Sequence, residues 1–488
     1  MVNVNNILKD LKPVEVFRYF EEITRIPRGS GNEKGISDYL VAFAKEHNLE
    51  VIQDEVLNVI IKKPGTAGYE NAPTVIIQGH MDMVNEKNQG TDHDFDKDPL
   101  KLRVEGDMLY ATGTTLGADN GIAVAYSLAL LASKDIPHPP VEVLMTTDEE
   151  TGMSGAMGLN PEHLKGRILI NIDSEEEGKL LVSCAGGVRT TAALNIEWEN
   201  AKSDASYAEI RIRGLKGGHS GMEIHKGRGN SNKLMGRVLY DIQNSVDFQL
   251  VTINGGAKNN AIPREADAVI ALSSDKVQAV KAKVEEWNSI FKNELKAADP
   301  EVNVQFEVVD KKAQKVFSKV STEKAIKLLY LIPNGIQTMS MEIEGLVQSS
   351  TNLGVVTTDE NKVRFDSATR SSVRSLKLDQ VNQTRIAAET VGAEFGTQSD
   401  YPDWQYDANS KIRLVFEKVY KDITGEAPEI TALHAGVECG LFKEKFGEID
   451  MISFGPNLYD VHTPDEHISI SSTERMWNYL LAVLKEIK

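Results

Sequence analysis

Three apolar runs in the first 180 residues do most to limit the fold. They are Pro73–Gln78 (PTVIIQ), Val141–Thr146 (VEVLMT) and Arg167–Ile172 (RILINI), each with polar residues immediately after it. Runs this short and this apolar read as strands buried on both faces. Between the first two lies Gly121–Ala132 (GIAVAYSLALLA), apolar nearly all round, which predicts a core helix. Upstream, Val14, Phe17, Phe20 and Ile23 mark a helix within Pro13–Ile26. Ser30-Gly31-Asn32-Glu33 has the pattern of a capping box opening a second helix, with Ile36, Leu40, Val41 and Ala44 as its buried stripe. Alternation of this kind predicts an α/β domain with a mainly parallel sheet sandwiched by helices.

After Cys184-Ala185-Gly186-Gly187 the pattern changes to alternating strands such as YAEIRIRGL and VNVQFEVVD. Long polar-faced helices accompany them, among them Ser274–Leu295 with Val277, Val280, Val284, Trp287 and Phe291 on one stripe. A second strand-and-helix block covers about 320–399. Near Tyr401-Pro402-Asp403-Trp404 the α/β style resumes, with helix Ser410–Thr424, strand Met451–Phe454 and a last helix from Ser472. The expected organisation is an α/β domain from 1–186 and 400–488, and an inserted α+β lid domain over 187–399, two subdomains in tandem being one way to build it.

In open α/β sheets, ligands sit beyond the carboxyl ends of the strands. Those ends carry Gly79-His80-Met81-Asp82, Thr147-Asp148-Glu149-Glu150-Thr151-Gly152 and Asp173-Ser174-Glu175. The strand near 454 leads to His462-Thr463-Pro464-Asp465, and Asp119 heads the core helix. Singly, each has an ordinary use: Asp119 can cap a helix, and adjacent glutamates suit a solvated loop. Together they form a set of imidazoles and carboxylates that would repel without a cation and that suits one or two zinc ions.

The net charge of −18 over 488 residues argues against nucleic-acid and membrane-surface partners. Two cysteines, Cys184 and Cys439, are too few for a disulfide framework. The N-terminal stretch carries Lys9, Asp10 and Lys12 where a signal peptide needs apolar residues, and Gly121–Ser133 is too short to cross a bilayer. A cytoplasmic location is expected.

The motifs QGHMDMV (78–84), TTLGADNGIAVA (114–125), TTDEETGMSGA (146–156), NIDSEEEG (171–178), GGHSG (217–221) and HTPDE (462–466) come in a familiar order. The chain resembles the co-catalytic zinc peptidases related to aminoacylase and carnosinase. Within them it resembles most the branch of aminoacyl-histidine, or cytosol non-specific, dipeptidases, through LGADNGIA, DSEEEGKLLVSCAGG and HAGVECGLF (434–442). The resemblance implies a zinc-exopeptidase-like fold and two Zn2+ per chain. His80, Asp119 and Asp173 would bind one ion, and Asp119, Glu150 and His462 the other. It makes Glu149 the general base and Asp82 the carboxylate that fixes the ring of His80. It also implies a cis peptide at Asp119–Asn120 and an oxyanion-stabilising role for His219. Asn260 and Arg374 match the family's substrate-binding positions, with Arg370 an open alternative to Arg374, and Glu438 is assigned to the substrate's free amine.

Two zinc ions sharing one water can lower its pKa towards ~7 and supply a bridging hydroxide. The implied reaction is hydrolysis of dipeptides with free termini, Xaa-His included. A related deacylase or aminotripeptidase would share the ligand set, and an inert peptide-binding homologue is the rival of another class. Co2+ or Mn2+ suit an O/N ligand set as well as zinc does. A homodimer stays open, because relatives with short lids borrow the lid histidine from a partner, whereas a two-block lid can supply its own.

Overall fold

The computed structural model describes residues 7–310 and 313–488, which divide into two compact units. The first is the chain up to Ser183 with Tyr406–Ala432 and Val437–Lys488, and the second is Cys184–Gln405 with Leu433–Gly436.

In the first unit an eight-stranded sheet runs in the order Glu50–Gln53, Val59–Lys63, Val141–Thr146, Val75–His80, Ile168–Asn171, Asp450–Ser453, Lys179–Cys184, Glu429–Leu433. The four central strands are parallel, and the strands registered beside them on either flank are antiparallel. Both Val75–His80 and Val141–Thr146 are buried at every residue, as strands between two helical layers must be. In register, His80 lies opposite Thr146, while Gln78 and Ser453 both lie opposite Asn171. The four carboxyl ends therefore open on one edge of the sheet. Helix Ala118–Ala132 is buried on almost every side, with non-helical backbone at Asp119 and Asn120 near its start. Each fully buried leucine or isoleucine in it contributes about 1.5–3 kcal/mol of transfer free energy. A separate four-stranded sheet pairs Leu458–Tyr459 with His467–Ser469, and its turn carries His462 and Glu466.

The expected capping box does not form. Helix Lys34–Glu46 starts with no side-chain cap bond. The Ser30 hydroxyl donates to Asp82 instead, while Glu33 accepts from the backbone N–H groups of Gly31 and Asp148. Two long-range loops thus compete for the capping side chains and win. Phe43, not Val41, completes the buried face of that helix.

The second unit is built on a nine-stranded sheet, antiparallel in every registered pair and covered by helices Ser231–Gln243, Val277–Glu294, Lys319–Leu331 and Arg374–Val391, with two small two-stranded sheets beside it. Its two halves, Asn303–Val309 to Phe248–Gly255 and Val347–Thr358 to Glu394–Tyr401, meet at the pair Gly255 and Val356. One hydrophobic core, with Ile210, Leu250, Phe365 and Ala388, spans both halves. Among the described residues, no helix is long and apolar enough to cross a membrane.

Candidate active site

The edge created by the parallel strands gathers the chemistry. His80 is the last residue of its strand, and its Nε2 lies 3.1 Å from Asp119 Oδ1 and 3.4 Å from Asp173 Oδ1. His462 Nε2 lies 3.0 Å from Asp119 Oδ2 and 3.0 Å from Glu150 Oε2. Asp119 therefore offers one oxygen to each histidine. The ligand atoms of His80, Asp119 and Asp173 fall within 4.8 Å of one another, as do those of Asp119, Glu150 and His462, and those of His80, Glu149 and Glu150. Glu150 Oε1 is buried without a hydrogen-bond partner.

The electrostatics point the same way. Burial, then the nearby Asp119 and Glu150, push Asp173 up to about 6 against the pull of His80. Hydrogen bonds to Asp119 and Glu150 raise His462 to about 11. Burial raises Glu149 well above the ordinary carboxyl range. Carboxylates crowded in this way around two imidazoles repel one another, and a divalent cation would relieve that repulsion. The oxygen and imidazole donors, with one buried oxygen unpartnered, fit a zinc, cobalt or manganese ion.

The supports are as specific as the candidate ligands. Asp82 receives His80 Nδ1 at 3.2 Å, the Ser30 hydroxyl at 2.8 Å, and the backbone N–H groups of Glu149 and Glu150 at 3.1 and 3.3 Å. One carboxylate thereby fixes both the His80 ring and the Glu149-Glu150 backbone. Asn120 accepts from the His80 N–H and donates to the Ile172 carbonyl, and the Asp119–Asn120 peptide is cis. His462 sits at φ 62°, a left-handed conformation unfavourable for a non-glycine residue.

Two residues escaped the sequence reading. Glu466 accepts the N–H groups of Leu116, Gly117, Ala118 and Asp119 at 2.8, 2.9, 2.8 and 3.2 Å. Arg28, fully buried, donates to the carbonyls of Met81, Asp82 and Gly117. Glu466 closes the HTPDE motif and had that much signal, whereas nothing near Arg28 marks it. Glu438 lies under the strand ends, buried, with Oε2 accepting from Gln78 at 2.7 Å and Thr146 at 2.8 Å. Burial pushes it up to about 7, and its Oε1 has no partner.

In the second unit, Gly218–His219 pairs with Ala261–Ile262, and the Ser220 N–H donates to the Asn260 carbonyl, so Asn260 belongs to the His219 loop. His219 Nδ1 accepts the N–H groups of Gly221 at 3.3 Å and Met222 at 3.0 Å, which leaves the ring proton on Nε2. Burial and then the charge of Arg370 lower its pKa, so the ring is a neutral donor. Arg370, on strand Lys362–Ser371, joins this cluster, while Arg374 opens helix Arg374–Val391 with its side chain exposed near Asp403.

Gly221 is wedged into the cluster. A Cβ there would stand 2.5 Å from the His434 carbonyl oxygen, 3.1 Å from His219 Cε1 and 3.2 Å from Arg370 Nε. Gly221→Ala should therefore displace the loop and lower kcat/KM by about 10²-fold, the effect of moving an oriented group by ~1 Å. Metal content should be unchanged. Steady-state kinetics beside metal analysis checks both, and wild-type kinetics would mean that the loop has no role in turnover.

Residues 76–486 match the model of peptidase family M20/M25/M40. The chain is 42% identical over 480 residues to the cytosol non-specific dipeptidase of Escherichia coli (strain K12), covering 98% of this chain and 99% of the relative. The crystal structure of aminoacylhistidine dipeptidase from Vibrio alginolyticus superposes with a TM-score of 0.95 at 41% identity, over 99% of this chain and 98% of that one. Aminopeptidase PepT from Bacillus cereus shares the fold at a TM-score of 0.57 and 16% identity, over 98% of this chain and 99% of that one. With its strand-end ligand set and these full-length likenesses, the chain belongs to the metal-dependent peptidases of family M20/M25/M40.

Proposed function

We propose that this chain is a cytoplasmic dinuclear zinc dipeptidase that hydrolyses dipeptides with both termini free, Xaa-His among them. The observation that carries the reading is Asp119, with one oxygen toward His80 and the other toward His462. His80, Asp119 and Asp173 are assigned to one ion, and Asp119, Glu150 and His462 to the other. The full-length likeness to a cytosol non-specific dipeptidase supports the substrate class and the compartment.

When bound, the two zinc ions would activate a water for attack and polarise the scissile carbonyl. Glu149 takes the water's proton and passes it to the leaving amine, and its burial gives the proton affinity that a general base needs. Asp82 keeps that carboxylate in place through the Glu149 N–H. His219 donates its Nε2–H to the oxyanion as the carbonyl becomes tetrahedral. Arg370, rather than the exposed Arg374, pairs with the C-terminal carboxylate, and Asn260 holds the peptide beside the His219 loop. Glu438 Oε1, buried and unpartnered, accepts from the free amine.

The test is hydrolysis of a small dipeptide panel, with one member ending in histidine and one amidated at its C-terminus. Each is assayed before chelation, after it, and with zinc restored. Cleavage of the free dipeptides should vanish on chelation, return with zinc, and be at least about 10²-fold slower for the amide, which loses a bidentate charged contact. Full metal loading without dipeptide cleavage would replace this reading with a deacylase or tripeptidase. Failure to bind metal would leave an inert binder.

A further inference from the structure

The segment Leu433–Gly436 belongs to the second unit although the chain on both sides of it belongs to the first. It carries His434, 7% exposed, whose Nε2 lies 2.7 Å from the Ser350 hydroxyl. His434 Nδ1 is buried without a partner. So are Arg370 Nε and the Ser220 hydroxyl. Gly221 ties the three together, being next to Ser220 in the chain and packed on both Arg370 Nε and the His434 carbonyl. Buried polar groups are nearly always paired, so three unpaired ones in one small region of one unit imply a polar ligand. The region is also closely packed. Arg370 Nη1 donates to the Tyr401 hydroxyl at 2.7 Å, and the Tyr401 ring lies where a side chain on Gly187 or Gly436 would stand.

We propose that His434 is a specificity-determining residue that joins Arg370 in reading the free carboxylate of the substrate's second residue, an inference that rests on the dipeptidase reading above. In this reading the Ser350 hydroxyl is the donor in its contact with Nε2, and the ring proton then sits on Nδ1. Nδ1–H and the Arg370 Nε–H then form a pair of donors, which suits an anion with two acceptor oxygens. Burial, and then the charge of Arg370, hold His434 down at about 3, so the ring is neutral and does not repel the guanidinium.

Asparagine places an amide nitrogen where Nδ1 stood, and glutamine places one where Nε2 stood. His434→Gln keeps the Ser350 contact and loses the donor, while His434→Asn does the reverse. The experiment is calorimetric titration of the zinc-loaded full-length protein with L-leucine and with L-leucinamide, beside Ala-Leu hydrolysis. His434→Gln should raise the Kd for leucine and the KM for Ala-Leu about 10- to 100-fold, the loss of one hydrogen bond to a charged group. His434→Asn should raise both less, and leucinamide binding should change less than about threefold, since it lacks the charged acceptor. Unchanged leucine affinity in His434→Gln overturns the proposal. Equal losses in both variants, with lower kcat and lower zinc content, also overturn it by making His434 a packing residue. The same binding pattern in a protein that does not cleave Ala-Leu would uphold the carboxylate pocket and remove the dipeptidase reading.

Discussion

Glu149→Gln should keep its metal and lose about 10²- to 10⁴-fold in kcat, the range of a general acid–base contribution. The substitution preserves volume, and the backbone anchor that places residue 149, its N–H on Asp82 at 3.1 Å, does not involve the side chain. What disappears is acceptance of a proton, which an amide cannot supply. The experiment also decides a second question. Glu149 lies with His80 and Glu150 in a group whose ligand atoms fall within 4.8 Å of one another, so it has the geometry of a ligand as well as that of a base. Elemental analysis of the purified variant separates the two. Two metal equivalents with kcat collapsed identify the base, whereas one equivalent makes Glu149 a ligand, and wild-type kcat removes it from both roles.

Part of this site was legible in the sequence because its candidate metal-binding residues sit where strands end. An apolar run shows where a buried strand stops, and the next residues must then lie on one edge of a parallel sheet, as His80, Glu149, Glu150 and Asp173 do. Parallel order was legible for the same reason in the central strands, but not the antiparallel flank, where Glu50–Gln53 has no buried residue and the buried run of Val59–Lys63 stops after Val59, Ile60 and Ile61. Residues that act through distant backbone gave little or no signal. Glu466 meets Leu116 across 350 positions and Arg28 meets Met81 across 53, and no local period encodes such a pairing. Ser30 and Glu33 failed in the opposite sense, since their local pattern was correct for a capping box and tertiary partners overrode it. Arg370 and Arg374 were inseparable because a strand ends and a helix begins between them, so neither period 2 nor period 3.6 fixes both side chains.

Glu466→Ala should cost about 3–5 kcal/mol of stability, the usual loss when one partner leaves a buried charged network. The carboxylate is 2% exposed and satisfies four consecutive backbone N–H groups, from Leu116 to Asp119. Across the same loop Arg28 takes the Gly117 carbonyl, and Glu466 does most, ahead of Asp82, Asp119 and Glu150, to offset its buried charge. Alanine would strand four donors, each buried unsatisfied group costing about 1–3 kcal/mol before water enters the gap, and would weaken the offset to the Arg28 charge. Glu466→Gln tests the same idea without a cavity. Its amide retains one acceptor but turns an NH2 toward two N–H donors, so it should lose most of what alanine loses. The Asp119 N–H is one of the four, and Asp119 serves both histidines, so weaker zinc binding at both positions should accompany the loss of stability. Urea unfolding and zinc competition titration on the two variants read these together. A glutamine variant with wild-type midpoint and wild-type zinc affinity would show that this loop holds Asp119 without the carboxylate, and the burial of Glu466 would then need another reason.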